Sequence, residues 1–353
     1  IKNLVLNRKE NLLSNSEKDI EEIYKHKIID AVSIACNSDV GYGVCLSGGV
    51  DSAVLAFILS RISKKLTSYT SSYEKFKDKE NTIARNFASR IGIKHKTCFL
   101  ANNSIFSLLK TMIQQQLEPI GGIQTISYYK LHELAKSDSV KVLLDGQGID
   151  EMLCGYPYYK KLLENNFSSI NNRHIDGTFI NTNDFLSDEY KNSFKDQKEQ
   201  EKIFSNVLEY QIYDIEHRKI PRVLRMNDLL SMNFSIELRV PFLDPELLLF
   251  CLALQDNLKI HNGIGKFIHR KFAERSFGYN IYNDKETVVT PQNSLLTSSL
   301  SDELLNIIDL LKDDDRINFK KLYGFIESRR NQKLLNSFSL WQMINYAFIK
   351  ENF

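Results

Sequence analysis

The six residues from Ser47 to Ser52 are the first whose types and spacing could do chemistry. Their sequence is Ser-Gly-Gly-Val-Asp-Ser, after a short apolar segment and before a helical pattern. Backbone N–H groups at the start of a helix, together with the Ser47 and Ser52 hydroxyls, can hold phosphate oxygens. Asp51 alone would repel phosphate, so it makes sense as a ligand of a Mg²⁺ ion that also binds phosphate. The same residues also fit a simple helix cap, since Ser and Asp are favoured there and glycine serves the turn.

A second segment, from Asp145 to Glu151, again combines glycines with carboxylates. Its sequence is Asp-Gly-Gln-Gly-Ile-Asp-Glu, directly after an apolar run. Gly146 and Gly148 would permit close approach of the backbone to a ligand. Asp150 is a candidate second Mg²⁺ ligand that would face Asp51 from a neighbouring strand end. The alternative is a helix start whose acids favour the helix dipole by only about 0.3–1 kcal/mol. The pairing with the first segment favours the metal site.

A third segment and a later lysine supply further charged candidates. Between residues 224 and 243, four charged residues stand among Leu, Met and Phe, and these are Arg225, Asp228, Glu237 and Arg239. Charges in such surroundings are usually paired, and a structural ion-pair network is favoured for the two arginines. Glu237 fits either that network or an active site. A single lysine such as Lys285 is usually solvated, but turned inward its ammonium could neutralise charge on a leaving pyrophosphate.

The elements that must position these residues alternate between strand and helix patterns. The predicted strands are 43–46, 66–71, 96–100 and 140–144, and the predicted helices are about 20–32, 52–62, 80–91, 105–116 and 127–136. This alternation indicates an α/β fold with a parallel sheet flanked by helices, whose ligands bind at the carboxyl ends of the strands. Both glycine-containing segments follow strands, so we expect them at that edge. From about residue 210 the chain is predicted to be mainly helical.

Three regions follow from the composition along the chain. Residues 1–20 are polar at first and are predicted to be a tail or interdomain linker. Residues 157–204 are rich in Asn, Lys, Ser and Asp with interleaved aromatics, which is typical of a surface insertion or lid. The remainder, 21–353, is predicted to be one domain, and its length allows a large core or two lobes.

The bulk composition excludes several classes of partner. The net charge of the 353 residues is +2, too small to argue for a nucleic-acid or membrane partner. The longest apolar run, 247–254, is far shorter than the ~20 residues that span a bilayer. The five cysteines are scattered and form no Cys-x-x-Cys pair. We therefore expect a reducing compartment, the cytoplasm, and neither a disulfide framework nor a zinc site.

In their order along the chain, the four motifs resemble those of the synthetase domain of class B asparagine synthetases, within the ATP-pyrophosphatase (PP-loop) group. The matching elements are Ser-Gly-Gly-x-Asp-Ser at 47–52, the glycine–acid element at 146–151, Glu-x-Arg-Val-Pro-Phe-Leu-Asp at 237–244, an acidic-Pro step at 118–119 and the late lysine with Thr-Pro at 290–291. The resemblance covers roughly residues 25–300.

The resemblance implies a Rossmann-like PP-loop fold and a two-step reaction. ATP and Mg²⁺ activate a carboxylate as an acyl-adenylate with release of pyrophosphate, and ammonia then attacks to give an amide and AMP. Asp51 and Asp150 would hold Mg²⁺, and Lys285 would stabilise the adenylation transition state. The implied nucleotide-binding residues are Leu46, Ser47, Gly48, Gly49, Asp51, Ser52, Ser71, Asp145 and Gly146.

Departures from the family pattern leave the acceptor open. Where asparagine synthetases commonly have Glu, this chain has Gln147, a neutral amide that would bind a substrate rather than act as a general base. In the related β-lactam synthetases a Tyr at that position works with a Glu, which Glu237 would match. The segment after Lys285 also differs from the family's Lys-x-Gly-Phe. Aspartate, a sugar uronic acid and a peptide all remain candidates.

The family's glutaminase domain, which begins with a nucleophilic Cys, has no counterpart in the sequence, whose first cysteine is Cys36. We therefore expect use of free ammonia, a separate glutaminase subunit, or a part of a two-domain protein, and the start at Ile1 with its linker-like first residues favours the last. The oligomeric state is left open. The competing interpretations are a lasso-peptide or β-lactam-type cyclase that uses an internal amine, and a non-catalytic nucleotide-binding scaffold. An enzyme of the RNA-thiolation type is disfavoured by the absence of paired cysteines and of a basic excess.

Overall fold

The structure is a computed structural model that describes residues 1–74, 79–164, 185–193, 204–280, 292–296, 300–328 and 337–352. Its strands are β1 (Tyr42–Cys45), β2 (Thr67–Tyr73), β3 (Lys94–Leu100), β4 (Val142–Leu144), β5 (Glu237–Arg239), β6 (Ile260–His261) and β7 (Ile264–Gly265). The helices of the first part are α1 (Lys2–Leu12), α2 (Glu17–Ala35), α3 (Val50–Ile62), α4 (Lys79–Ile91), α5 (Ile105–Gln116), α6 (Ile123–Ser137), α7 (Ile149–Met152) and α8 (Pro157–Glu164). Those that follow are α9 (Asp188–Ser193), α10 (Val207–Tyr213), α11 (Lys219–Met232), α12 (Pro245–Ala253), α13 (Asp256–Lys259), α14 (Phe267–Phe277), α15 (Gln292–Ser294), α16 (Ser301–Ile308), α17 (Phe319–Ser328) and α18 (Ser337–Asn352).

The first five strands form one sheet in the order β3-β2-β1-β4-β5, and every pair of neighbours is parallel. The predicted parallel α/β sheet and the mainly helical second half are confirmed. The four predicted strands all form, with ends shifted by at most a few residues. The strand β5 was not predicted, because three residues are too few to show a strand period.

Helices cover both faces of this sheet, as the alternation of side chains along a strand requires. On one face Val44, Val142 and Leu144 join the core that α2, α3, α12 and α14 build. On the other face Cys45 and Leu143 pack with residues of α6. Both central strands are therefore almost fully apolar and buried, the pattern expected of parallel strands covered on both sides.

A second core lies beyond α6 and is built by α5, α6, α16, α17 and α18. Trp341 of α18 is fully buried, and its indole N–H donates to the carbonyl oxygen of Ile120 at 3.0 Å. The side-chain oxygen of Asn345, one turn further on, accepts from the Ile120 N–H at 2.6 Å. These bonds tie the last helix to the connection between α5 and α6.

Two predictions about segments need correction. Residues predicted to be a tail form α1, whose Val5 is fully buried and which packs against α12. Propensity and polarity misled here, because helical stability comes mainly from tertiary packing. The first residues of the predicted surface insertion are not at the surface, since Tyr158, Tyr159 and Leu162 of α8 are buried. Residues 165–184 and 194–203 of that segment lie outside the described residues.

Among the described residues, no helix is both long and apolar enough to cross a membrane. All five cysteines are free.

Candidate active site

The carboxyl ends of β1 and β4 are neighbours in the sheet, so the two glycine-containing segments that follow them meet. Between them and the end of β2 lies a cavity of about 790 Å³, here called the loop cavity. The predicted site residues that line it are Leu46, Ser47, Gly48, Gly49, Asp51, Ser52, Ser71, Asp145, Gly146, Gln147 and Asp150. The rule that parallel sheets bind ligands at this edge therefore located most of the candidate set.

The loop after β1 is held by its own two serines. The Ser52 hydroxyl accepts from the Ser47 N–H at 3.0 Å and lies 2.9 Å from the Ser47 hydroxyl. The Ser47 hydroxyl also accepts from the Gly49 N–H at 3.2 Å. These bonds hold a tight turn just before α3, with no side chain capping that helix. The start of α3 thus keeps the partial positive charge that favours an anion.

The glycines of both segments stand where a side chain would collide. A Cβ on Gly48 would lie 3.2 Å from the Glu80 backbone, and one on Gly146 would lie 3.3 Å from the carbonyl carbon of Asp51. The close approach that Gly146 permits is therefore between the two loops themselves. Gly148 has φ of +108°, and its Cβ would lie 2.5 Å from Leu243. Glycine at these three positions brings Asp51 and Asp150 together.

Both candidate carboxylates contact a single cation, Lys266. Its Nζ lies 2.5 Å from Oδ2 of Asp51 and 2.7 Å from Oδ1 of Asp150. The Lys266 side chain is only 3% exposed, whereas the two carboxylates are 18% and 17% exposed. Burial by itself would lower the pKa of Lys266, but the charges of Asp150 and Asp51 and their hydrogen bonds outweigh it and raise that pKa. The lysine is therefore a permanent cation at the meeting point of the two loops.

Lys266 is not among the site residues predicted from the sequence, because it lies far from Asp51 and Asp150 along the chain. The β6–β7 hairpin ends at Gly265, and the Lys266 N–H donates to the Leu153 carbonyl at 2.8 Å. Lys266 itself has φ of +58° and directly precedes α14. One feature of the sequence could have indicated Lys266. It follows a glycine and precedes a helix that carries further basic residues, and the amino end of a helix commonly binds anions.

The buried side chain of His269 lies next to the Asp51 carboxylate. Nε2 of His269 lies 3.5 Å from Oδ1 of Asp51, and Nδ1 lies 2.6 Å from the Tyr24 hydroxyl. Burial, and then the nearby charge of Lys266, lower the pKa of His269 well below its usual range, so the ring is neutral at pH 7. A neutral ring adds no further positive charge beside Lys266 and does not neutralise Asp51.

The donor set fits a divalent cation that keeps several non-protein ligands. Asp51 and Asp150 converge on one point, and the described residues contain no group of three or more His, Cys, Asp or Glu side chains that could hold a metal. Mg²⁺ commonly takes one or two carboxylates and completes its octahedron with phosphate and water. The position of the Lys266 ammonium shows that the two carboxylates already stabilise positive charge there.

Two further acids follow β4 and are buried. Asp145 accepts from the Gly146 N–H at 2.7 Å, and burial raises its pKa. Glu151 accepts from the Tyr156 hydroxyl at 2.7 Å, and burial followed by the charge of Asp150 raises its pKa to about 7. Glu151 is only 2% exposed. The hydrogen bonds of these two buried acids therefore stabilise the segment that follows β4.

One predicted catalytic residue, Glu237, does not line the loop cavity. Glu237 stands at the amino end of β5, opposite Val142 at the start of β4, so the strand carries it to the far edge of the sheet. Its exposed carboxylate accepts from Arg239 at 2.8 Å, and the pKa of Glu237 is lowered by this bond. The pair expected between charged residues exists, but at the surface. Lys285 lies outside the described residues.

A larger cavity of about 1000 Å³, here called the helical cavity, opens beside the loop cavity. Its walls come from the α5–α6 connection, α6, α11 and α18. Gln124, Tyr128 and Gln147 line both cavities. Gln147 therefore stands at the boundary between a polar site at the sheet edge and a second space among the helices.

Comparisons with known proteins match the chain to sequences with closely related descriptions. The sequence model described as "Asparagine synthase" matches residues 24–343. "Asparagine synthetase [glutamine-hydrolyzing] 1" of Bacillus subtilis (strain 168) is 24% identical over 376 residues, which cover 94% of this chain and 59% of that protein. "Asparagine synthetase [glutamine-hydrolyzing] 2" of the same strain is 24% identical over 68% of this chain and 34% of its own length.

The chain thus spans about 59% of the length of the first of these relatives. Among solved structures, the NH3-dependent NAD synthetase of Campylobacter jejuni aligns over 61% of this chain and 95% of its own, with 14% identity and a TM-score of 0.30. A structural similarity of that size carries no argument about function.

Proposed function

Because the chain belongs to the asparagine synthase family, we propose that it is an ATP-dependent ligase that forms an amide with release of AMP and pyrophosphate. The observation that carries the proposal is the convergence of Asp51, Asp150 and Lys266 between two glycine-containing loops at the carboxyl edge of the sheet. Such a site holds a polyphosphate by charge and a divalent cation by its carboxylates.

In this proposal the ATP lies in the loop cavity. Leu46, Ser71 and Gly146 contact the nucleoside, and the turn from Ser47 to Ser52 receives the pyrophosphate portion at the start of α3. Mg²⁺, held by Asp51 and Asp150, supplies neutralisation of phosphate charge. Asp145 and Gly146 support the nucleotide from the second loop.

Lys266 has a role that follows from its position. Asp51 and Asp150 would hold the divalent cation, and Lys266, which contacts both carboxylates, would add a fixed positive charge at the same place. A buried permanent cation there stabilises the charge that develops on the leaving pyrophosphate. Lys285 is the second candidate for this stabilisation.

The reaction balances in two displacements. A carboxylate oxygen of the acceptor attacks the α-phosphorus, and the bond between that phosphorus and the bridging oxygen breaks, so pyrophosphate leaves. Ammonia then attacks the acyl carbon, the bond to the AMP oxygen breaks, and a proton is lost from nitrogen. Gln147 donates and accepts hydrogen bonds to the acceptor at the boundary of the two cavities but transfers no proton, since an amide is neither an acid nor a base near pH 7.

Ammonia in this proposal comes from a glutaminase domain or subunit, or from solution. The two Bacillus subtilis relatives are named as glutamine-hydrolysing. Comparing amide formation with glutamine and with an ammonium salt distinguishes the sources, because a chain that acts without a glutaminase uses ammonium alone.

Substitution of the two aspartates tests the site. We expect Asp51→Asn and Asp150→Asn to reduce pyrophosphate release to background, because an amide supplies no negative charge to hold Mg²⁺. The assay measures pyrophosphate release with ATP, Mg²⁺, ammonium and a panel of acids that includes aspartate, a uronic acid and a short acidic peptide. Asp30→Asn is the matched control, since Asp30 is exposed on α2 away from the cavities. Full turnover by either site variant would refute the assignment.

A cyclase that uses an internal amine is the second candidate, and the volume of the helical cavity favours it, because a cyclising substrate must fold back on itself there. Release of AMP from a substrate that carries its own amine, without ammonium, would support the cyclase. A scaffold without catalysis would bind ATP and release no pyrophosphate with any acid.

A further inference from the structure

The volume, the apolar wall and the charged side chains of the helical cavity all bear on the identity of the acceptor. We propose that the carboxylate acceptor is an amphipathic acid larger than aspartate, with an apolar body lying in the helical cavity and a second anionic group at its arginines. This inference rests on the proposed function, because it assigns the acceptor of that reaction.

The size of the cavity is the first argument. Its volume of about 1000 Å³ stands at the upper end of the roughly 300–1,000 Å³ that hold a drug-sized ligand. A four-carbon amino acid fills a small fraction of such a space and would leave most of the wall without contacts. A ligand that contacts most of the cavity wall must therefore be larger than a four-carbon amino acid.

The wall is the second argument, since much of it is apolar. Ile120 and Ile123 lie at the start of α6, Met226 on α11, Ile317 near α17, and Met343 and Ile349 on α18, and all of them line the cavity. Burial of apolar ligand surface against such residues contributes roughly 25 cal/mol per Å². Two of the six are methionines, whose flexible side chains adapt to an irregular ligand.

The charges are the third argument. Among the described residues, four charged side chains line the cavity, three guanidiniums and one carboxylate, and they are Glu118, Arg222, Arg225 and Arg316. Arg225 is paired with Glu118, and Arg316 is paired with Asp314 at 2.8 and 2.9 Å. Arg222 is exposed on α11 and has no ion pair among the described residues. The surplus is therefore positive and favours an anionic group on the ligand.

A buried amide is the fourth argument. Asn227 is only 1% exposed and lines the cavity, yet neither its side-chain nitrogen nor its oxygen has a hydrogen-bond partner among the described residues. The side-chain oxygen of Gln342, across the cavity on α18, is also buried and unpartnered. Buried polar groups without partners are costly, so a ligand with amide or hydroxyl groups would gain hydrogen bonds there.

The direction of binding follows from the shared lining. Because Gln124, Tyr128 and Gln147 line both cavities, an acid seated in the helical cavity reaches the loop cavity past these three residues. Its reacting carboxylate then meets the nucleotide, while its body and second anionic group remain among α6, α11 and α18.

The test compares three acids in ATP–pyrophosphate exchange, a measure of adenylate formation that needs no ammonia. They are L-aspartate, hexanoate and N-hexanoyl-L-aspartate, which separate the second carboxylate from the apolar body. We expect kcat/KM for N-hexanoyl-L-aspartate to exceed both others at least tenfold. Arg222→Ala should lower that value severalfold through KM and leave the KM for ATP unchanged. Arg85→Ala is the matched control, since Arg85 is exposed on α4 and lines neither cavity.

The outcomes separate this inference from the proposed function. Efficient exchange with aspartate and none with the hexanoyl acids would overturn the inference and leave the ligase standing. If no acid supports exchange, calorimetric titration of N-hexanoyl-L-aspartate decides. Saturable binding weakened by Arg222→Ala would support the cavity assignment while overturning the ligase, and absence of binding would overturn both.

Discussion

At the residue scale, the candidate site is one lysine shared by two aspartates. Lys266 compensates the charges of Asp51 and Asp150 when no other cation lies between them, and all three side chains are largely buried. Two buried carboxylates without a cation would repel each other strongly. Lys266 therefore acts as an internal counter-ion that keeps the two carboxylates close together.

Replacement of this lysine gives a prediction that does not depend on turnover. Lys266→Met removes the ammonium that contacts both Asp51 and Asp150, and removal of one partner of a buried pair costs about 3–5 kcal/mol. Because a bound cation stabilises the folded state, we expect added Mg²⁺ to raise the melting temperature of this variant clearly more than that of the unaltered protein. Thermal unfolding with and without Mg²⁺ measures the difference.

Lys25→Met serves as the control, since Lys25 is exposed and its ion pair within the described part of the chain is with Glu22 of its own helix at 3.0 Å. An equal response of Lys266→Met and the control to Mg²⁺ would contradict the counter-ion role.

Much of this residue-scale account was predictable from sequence. Asp51 and Asp150 each follow a strand of a parallel sheet, so their convergence follows from topology. Lys266 was not predictable in the same way. It lies more than a hundred residues after Asp150 in the chain, and a separate hairpin brings the two side chains together. For Glu237 the sequence left an ion-pair network and an active site equally open, because the strand β5 that carries it was not predicted and its direction decides which end faces the loop cavity.

At the element scale, the contact between a loop and a hairpin holds the lysine in place. The hairpin β6–β7 passes the loop between α7 and α8, where Lys266 bonds to the Leu153 carbonyl. Gly155 makes this passage possible, because a Cβ on it would overlap with the Asp150 carboxylate and the Lys266 side chain. A Cβ at this position would therefore force the Asp150 or Lys266 side chain to move.

We predict that Gly155→Ala destabilises the protein by about 1–3 kcal/mol, the usual range for an overpacked site. The same change should abolish pyrophosphate release, because it displaces Asp150 and Lys266 from each other. Chemical denaturation and the release assay measure the two effects. Gly41→Ala is the matched control, since a Cβ there meets nothing within 4 Å. Unchanged stability in both variants would show that the loop can move away from the hairpin at little cost.

The order of elements was more predictable than their ends. Strongly periodic helices such as α5 appear with the predicted bounds, Ile105–Gln116. The helix α1 was missed because its residues have almost no apolar stripe, and only packing against α12 explains its burial of Val5. Local patterns cannot report such tertiary contacts.

At the scale of the whole molecule, two cavities meet at Gln147. The loop cavity is a property of the sheet edge, whereas the helical cavity requires α6, α11 and α18, which come from distant parts of the chain. The sequence analysis identified Gln147 as a departure from the family pattern but could not show what lies beyond it. The structure shows an apolar space with surplus positive charge, and the acceptor is therefore the part of the account that most needs an experiment.

The central claim is the formation of an acyl-adenylate, and oxygen transfer tests it most directly. The acceptor acids, L-aspartate and N-hexanoyl-L-aspartate, are prepared with oxygen-18 in their carboxylates and incubated with the protein, ATP, Mg²⁺ and ammonium. The AMP is then analysed by mass spectrometry. We predict AMP that carries one oxygen-18, because the carboxylate oxygen stays on phosphorus when ammonia displaces AMP. Unlabelled AMP, or ADP and phosphate in its place, would contradict the account.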